Sequence, residues 1–261
     1  MMRLQLYNIS MSKNISAIVL AAGKGTRMNS DRPKVLHEIG GKPMIEYTLK
    51  TLNQLGVSEI ILVVGYGADE VKTCIDHKCQ FAFQENPQGG TGDAVKTGLS
   101  KVSENTDIVM ILHGDDSAFY KVDTLRQFIA FHLGGGTGTT PREISIVTTN
   151  KPQSENVGRI IRDSSGNFEK TMEVWEYEKS GLNSDEVNCG VYLFDKIWLD
   201  SHINKIENNN DKNEYRLTEI LNIAHDEGTP VGLFELKDPN EWVGINTPKD
   251  LERANKLMEG R

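Results

Sequence analysis

Apolar residues fall along the first half of the chain in two alternating patterns. Short runs rich in aliphatic residues, Ile15–Val19, Glu59–Val64, Gln80–Phe83, Asp107–Leu112 and Glu143–Thr148, read as buried strands. Between them the spacing becomes helical. Met44–Leu55 carries Met44, Ile45, Leu49, Leu52 and Leu55 as one stripe, and Asp69–Asp76, Gly92–Leu99 and Val122–Leu133 follow as helices. Alternation of this kind predicts an α/β fold with a mixed, mainly parallel sheet and helices on both faces. The second half changes character. Val157–Arg162, Phe168–Glu173 and Val187–Phe194 are strand-like pieces close together, which predicts a small antiparallel lobe over the same edge. Helices at Lys196–Ile206 and Leu217–Glu227, a strand at Val231–Leu236 and a helix at Pro248–Met258 complete the chain, the last with Thr247 as N-cap and Pro248 at its first position.

The totals narrow the partners more than the fold. With 261 residues the chain has enough length for a sizeable core. A net charge of −8 argues against nucleic acid as principal partner, which requires a basic face, but leaves room for a local basic pocket. Three cysteines, Cys74, Cys79 and Cys189, cannot all pair, which points to a reducing, cytoplasmic setting. No apolar run approaches the ~20 residues of a membrane span. Met1–Asn14 lacks a signal-type apolar core and is expected to be a disordered leader, with Met11 an alternative start; residues 15–261 are expected to form one domain.

The most informative stretch is Leu20-Ala-Ala-Gly-Lys-Gly-Thr-Arg-Met28, followed by Pro33-Lys34. After the first strand the chain turns through Gly23 and Gly25 and presents Lys24, Arg27 and Lys34. Glycines let backbone N–H groups approach a ligand, and with three cations nearby they make a cradle for a polyanion such as a nucleoside triphosphate. Met28 stands where the dinucleotide fingerprint has its third glycine, which disfavours a nicotinamide oxidoreductase, and no Gly-Lys-Ser/Thr ending is present, so the loop is not a Walker loop. The Gly134–Thr140 run has a phosphate-loop composition but lies after a helix and before a strand, and reads as a surface connection.

Two further blocks lie at expected strand ends. Gln84-Glu-Asn-Pro-Gln-Gly-Gly-Thr-Gly-Asp-Ala94 has amides suited to a pyrimidine edge, or else is a glycine-rich turn with Thr91 or Asp93 as helix cap. In His113-Gly-Asp-Asp116 a carboxylate at a strand end suits Mg²⁺ shared with substrate phosphates, or else is a turn aspartate. Asn246, in Gly-Ile-Asn-Thr-Pro, is either a second oxygen ligand or part of a helix approach.

In chain order, these motifs together with Gly158-Arg-Ile160, Glu173, Asn188-Cys-Gly190, Asn213-Glu-Tyr215, Leu217-Thr218 and Gly244-Ile-Asn246 resemble the uridylyltransferase (pyrophosphorylase) domain of the bacterial bifunctional N-acetylglucosamine-1-phosphate uridyltransferases, in the sugar nucleotidyltransferase superfamily. The resemblance runs from Ser16 onward. It implies a Rossmann-like fold with a nucleotide-binding half over about 15–150 and an antiparallel sugar-binding lobe within about 151–261. The implied reaction is attack of a sugar 1-phosphate on the α-phosphorus of UTP, giving a UDP-sugar and pyrophosphate. Arg27 and Lys34 would then be catalytic, with Leu20, Ala22, Gly23, Gly25, Gln88, Gly90 and Thr91 around the nucleotide. Gly158, Glu173, Asn188 and Thr218 would hold the sugar phosphate, and Asp115 and Asn246 the Mg²⁺.

The sequence departs from that pattern in places. Gly-Asp-Val-Pro is Gly114-Asp115-Asp116-Ser117 here, Glu-x-Lys-Asp-Ala is Glu173-Val-Trp-Glu-Tyr177, and Arg216 replaces the second tyrosine of Asn-Glu-Tyr-Tyr-Leu-Thr. Gln84 and Gln88 stand four apart where a glutamine pair is usual. The alternatives are another hexose 1-phosphate or dTTP as substrate, or a nucleotide-sensing module without turnover. The left-handed β-helix and its acetyl transfer are not expected. Cys74-x-x-His77-x-Cys79 lacks a fourth zinc ligand nearby and reads as packing, and Trp175 and Trp198 read as core or rim rather than ligand platforms.

Overall fold

The computed structural model describes residues 13–86, 88–135, 140–152, 157–208, 210 and 213–260. At its centre lies β1 (Ile15–Ala21), every residue of which is buried. β4 (Glu59–Val64) and β6 (Ile108–His113) flank it in parallel, and β5 (Gln80–Phe83) extends the sheet beyond β4. On the other side the order continues through β10 (Glu186–Asp195), β7 (Ile144–Asn150) and β11 (Val231–Glu235). Only β10 in this path runs antiparallel to both neighbours, so the sheet is mixed and mainly parallel, as the pattern predicts.

Side-chain alternation along β1 feeds two cores. Ala17, Val19 and Ala21 point to a layer holding Leu49 and Leu52 of α1 (Met44–Leu55) and Leu125 and Phe128 of α4 (Val122–His132). Ile18 and Leu20 point to the opposite layer, with Val95 of α3 (Gly90–Leu99), Leu199 of α6 (Lys196–His202) and Leu221 of α7 (Glu219–Asp226). Helices therefore cover both faces. A short α2 (Ala68–Cys74) links β4 to β5. Among the described residues no helix is long and apolar enough to cross a membrane.

The second half differs from its reading in two respects. Val187–Phe194 is not a strand of the small lobe. It belongs to β10, which is inserted between β6 and β7 because its run is apolar and buried on both faces. The lobe proper is β8 (Arg159–Arg162) paired with β9 (Phe168–Met172), attached to β10 through Arg159 opposite Val187. The other difference is α5 (Val174–Ser180), for which no periodicity gave a signal, since none of its residues is buried; a capping box between Glu173 and Glu176 starts it. A two-stranded hairpin, β2 (Glu38–Ile39) with β3 (Lys42–Pro43), was also silent in the sequence.

The closing helix α8 (Pro248–Glu259) begins as expected. Asp250 N–H donates to Thr247 Oγ1 at 3.2 Å, and the Asp250 carboxylate accepts from the Asn246 and Thr247 N–H groups at 3.0 and 2.9 Å. The cap thereby fixes Asn246. His77 docks on α1 through Glu46 and Asn53, Cys79 packs against the core and Cys74 is exposed. Trp198 stacks on Phe194 and His202, while Trp175 is exposed. The expected leader lies outside the described residues over 1–12. Its last two residues, Lys13 and Asn14, are tied to Asp107. Residues 136–139 of the glycine-rich connection also lie outside the described residues.

His132, the last residue of α4, is 1 % exposed and shares a 3.0 Å hydrogen bond with Ser145 of β7. Burial, with the Arg142 charge adding to it, lowers its pKa from 6.5 to about 4. The folded protein resists a proton that the unfolded chain accepts, so stability is full above pH 6.5 and falls as pH drops toward 4, by about 3 kcal/mol from this group. The stability difference between wild type and His132→Gln should therefore shrink on acidification, read by urea unfolding from pH 7 to 4.5. Parallel pH profiles for the two proteins would refute this assignment.

Candidate active site

The carboxyl ends of β1 and β6 open into a cavity of about 610 Å³. Ligands in open α/β sheets bind at such ends. The turn after β1 is held at its base by Gly114 N–H donating to the Leu20 carbonyl at 2.9 Å and Tyr66 N–H to the Ala22 carbonyl at 3.0 Å. Beyond it, Met28 is buried and anchors a short 3₁₀ turn, Thr26–Met28, in the core. Gly25 has φ +66°, and a Cβ there would lie 2.7 Å from Lys34 Cβ. Only glycine lets the loop fold back over Lys34, which packs the two cationic segments into one wall.

Leu20, Ala22, Gly23 and Gly25 line the cavity together with Arg27 and Lys34. Lys24 lines it too, its ammonium 5.0 Å above the centre of the Tyr66 ring. Opposite them stand Asp115 and Asn246. The ammonium of Lys34 bonds to Asp115 Oδ2 and donates to Asn246 Oδ1 at 2.8 Å, and Arg27 donates to the same Asn246 oxygen at 2.8 Å. Burial opposes the Asp115 charge, but the Lys34 cation and its hydrogen bond outweigh it and hold that carboxyl below the usual range. Burial has the opposite outcome next door: it pushes Asp116 well up, with the Asp115 charge adding to the effect, and it lowers His113.

The third wall joins two distant segments. Gly90 and Thr91 at the start of α3 line the cavity with Glu214, Arg216 and Thr218. Thr91 does not cap α3. Its hydroxyl accepts from Leu217 N–H at 2.9 Å, and Gly92 N–H donates to the Tyr215 carbonyl at 2.6 Å. Nor does Asp93 cap it, since its carboxylate accepts from Gln84 Nε2 at 2.8 Å. Gly90 has φ +83°, and a Cβ there would meet the Tyr215 carbonyl at 2.7 Å, so this seam too requires glycine. Glu173 completes the wall.

Residues 17–161, more than half the chain, match the family model described as "MobA-like NTP transferase domain". The chain belongs to that family. Among curated relatives of this chain, the "Bifunctional protein GlmU" of Lactobacillus helveticus is 36% identical over 244 residues, 94% of this chain and 51% of the relative. Those of Lactobacillus gasseri and Enterococcus faecalis are 37% and 34% identical over 248 and 249 residues, 95% of this chain in both cases and 52% and 53% of the relatives. The chain thus spans about half the length of the curated relatives it matches.

Twelve of the fifteen residues selected from the sequence line one cavity: Leu20, Ala22, Gly23, Gly25, Arg27, Lys34, Gly90, Thr91, Asp115, Glu173, Thr218 and Asn246. Gln88, Gly158 and Asn188 are not brought to its wall. Gln88 is exposed in the turn before α3, and the buried Gln84 lines the cavity instead, its Nε2 tied to the Gly90 carbonyl at 3.1 Å. Asn188 uses both ends of its amide inside β10, donating to Tyr192 and accepting from Gly190 N–H. Gly158 sits against the Met172 carbonyl at the start of the lobe, where a Cβ would lie 3.0 Å from that oxygen. Gln84, His113 and Glu214 are cavity residues that sequence reasoning did not select. For Gln84 the usable signal was its position directly after β5.

A divalent ion suits the donors at this site. Asp115 offers a carboxylate and Asn246 an amide oxygen, both hard ligands, and between them the chain already seats a cation of its own, the Lys34 ammonium.

Proposed function

We propose that this domain transfers a nucleotidyl group from a nucleoside triphosphate to a sugar 1-phosphate, with UTP and N-acetylglucosamine 1-phosphate as the substrate pair and Mg²⁺ as the metal. The observation that carries the reading is the convergence of Arg27 and Lys34 with Asp115 and Asn246 in one cavity, reached from the other side by Glu173 and Thr218. The family description supports a nucleoside triphosphate as one substrate, and the resemblance of the motifs implies the sugar 1-phosphate.

In this reading a phosphate oxygen of the sugar 1-phosphate forms a bond to the α-phosphorus while the bond from that phosphorus to the β-phosphate oxygen breaks. Pyrophosphate leaves with the electron pair. A phosphate monoester is already ionised at neutral pH, its second pKa being about 6, so no side chain has to remove a proton from the nucleophile. The work left to the protein is alignment and charge stabilisation. Arg27 and Lys34 meet the charge that builds on the triphosphate, and backbone N–H groups of the Gly23–Gly25 turn cradle its oxygens. Asp115 and Asn246 would hold the ion, which would supply positive charge to neutralise the triphosphate. For that, Lys34 has to release Asp115, and a triphosphate offers it a new anionic partner. Nucleotide and the ion between Asp115 and Asn246 are therefore expected to enter together. Gln84, with its Nε2 held by Gly90 and Asp93, faces the nucleoside side.

The test is pyrophosphate release measured with four nucleoside triphosphates against several sugar 1-phosphates. Release with UTP and N-acetylglucosamine 1-phosphate above all other pairs supports the reading, preference for another sugar or dTTP reassigns the substrate, and no release with any pair refutes it. Glu173→Gln tests the sugar side while keeping the oxygen acceptor that starts α5. Loss of a charged hydrogen bond to a sugar hydroxyl, worth about 1.5–3 kcal/mol, should lower kcat/KM for the sugar phosphate roughly 10–100-fold with the KM for UTP unchanged. A rise in the UTP KM instead would move Glu173 to the nucleotide side.

A further inference from the structure

We propose that His113, Asp115 and Asp116 form a cation position that prefers a divalent first-row transition-metal ion, such as Mn²⁺, Co²⁺ or Zn²⁺, to Mg²⁺, behind the Asp115–Asn246 pair. One donor atom from each of the three residues lies within 4.8 Å of the others, the one such cluster among the described residues. Two observations besides this proximity point to a ligand. His113 Nε2 and Asp116 Oδ1 are both buried atoms with no hydrogen-bond partner. Leaving a buried polar atom unpaired is costly, and native proteins do so rarely. Two such atoms in one three-residue cluster are both satisfied by a single cation.

The surroundings hold the donors in place. Asp116 Oδ2 accepts from Trp242 Nε1 at 3.3 Å, which fixes the plane of that carboxylate. The bulge of β10 puts Gly190 against the cluster, where a Cβ would lie 3.1 Å from Asp116 Oδ2 and 3.3 Å from His113 Cγ. His113 and Asp115 line the cavity, whereas Asp116 does not. The cluster is therefore reached from the substrate side and backed by Asp116.

The donor set decides the ion. Mg²⁺ is ordinarily bound through oxygen and water, whereas imidazole nitrogen is a ligand for first-row transition metals, whose affinity for a mixed nitrogen and oxygen site rises from Mn²⁺ toward Cu²⁺. The proposal rests on the proposed function only in sharing Asp115, and its test needs no turnover.

The 261-residue chain, free of nucleotide, is titrated with MnCl₂ and followed by electron paramagnetic resonance, with Mg²⁺ as competitor. Wild type should bind Mn²⁺ at least ~10-fold more tightly than Mg²⁺, and the electron spin echo should carry ¹⁴N modulation from the His113 ring. His113→Ala should abolish the nitrogen modulation, and Asp116→Val should lower Mn²⁺ affinity roughly 10–100-fold. Circular dichroism checks the fold of each variant; if either is unfolded, His113→Gln and the near-isosteric Asp116→Asn take their places with the same expected losses. Wild-type binding without ¹⁴N modulation, or Mn²⁺ affinity equal in wild type and the Asp116 variants, overturns the site. Failure of pyrophosphate release with Mg²⁺ refutes the enzymatic reading and leaves this result standing.

Discussion

Lys34→Ala is expected to lower kcat for nucleotidyl transfer by about a thousandfold and at the same time to tighten Mg²⁺ binding by the nucleotide-free protein. The two effects come from the two states of one ammonium. In the ligand-free protein it lies 8 % exposed between Asp115 and Asn246 and competes with any ion for the same oxygens. In the reacting complex the same charge faces the triphosphate. A single preorganised donor at a developing oxyanion contributes about 2.7–4 kcal/mol, a factor of roughly 10²–10³, and a full charge in a partly desolvated cavity belongs at the upper end. Single-turnover pyrophosphate release measures the loss, and calorimetric Mg²⁺ titration without nucleotide measures the gain. A variant that lost activity with unchanged Mg²⁺ affinity would remove the exchange between lysine and metal from the mechanism. Arg27→Ala, which leaves the Lys34 contacts in place, should lower activity without the gain in Mg²⁺ affinity.

This pairing also shows what the sequence could and could not disclose. The cations were legible because glycines, a basic cluster and a preceding apolar strand occur together within about twenty residues, a local pattern with a physical meaning. The helix Met44–Leu55 was legible to the residue because its apolar stripe faces one core. α5 was not, because a surface helix without buried side chains leaves no period to detect; only the Glu173–Glu176 spacing hinted at it. The placement of β10 between β6 and β7 is a matter of partners, and an apolar run does not name its neighbours. The same limit governed the glutamines. Gln84 and Gln88 look alike in the sequence, but one directly follows a sheet strand and is buried, and the other lies exposed in the following turn. Asp116 was ambiguous between a solvent-facing and a buried carboxylate, because its covering residue, Trp242, is 126 positions away.

Asp115→Asn is the second substitution with a large expected effect, and it separates the charge of this residue from its shape. The amide keeps one oxygen for a metal but removes the negative charge that both an ion and Lys34 depend on. Losing the charge stabilisation that the ion supplies is worth several kcal/mol, so turnover with Mg²⁺ should fall by about 10³-fold, and the activation curve should no longer saturate in the millimolar range. Stability should respond in the ligand-free protein as well. Breaking a buried ion pair costs about 3–5 kcal/mol when the remaining charge is fully desolvated; here the Asp115 side chain is 27 % exposed, so water screens the orphaned ammonium and about 1–3 kcal/mol is the better expectation. Lys34→Ala in the same protein removes that orphaned charge. The double variant should therefore recover part of the melting temperature lost by Asp115→Asn while recovering none of the activity, because the ammonium and the carboxylate answer to each other in the resting protein and to the triphosphate and its ion in the working one. Additive melting shifts in the double variant would mean that the two side chains do not interact, and the lysine would lose its role as the resting occupant of the metal position.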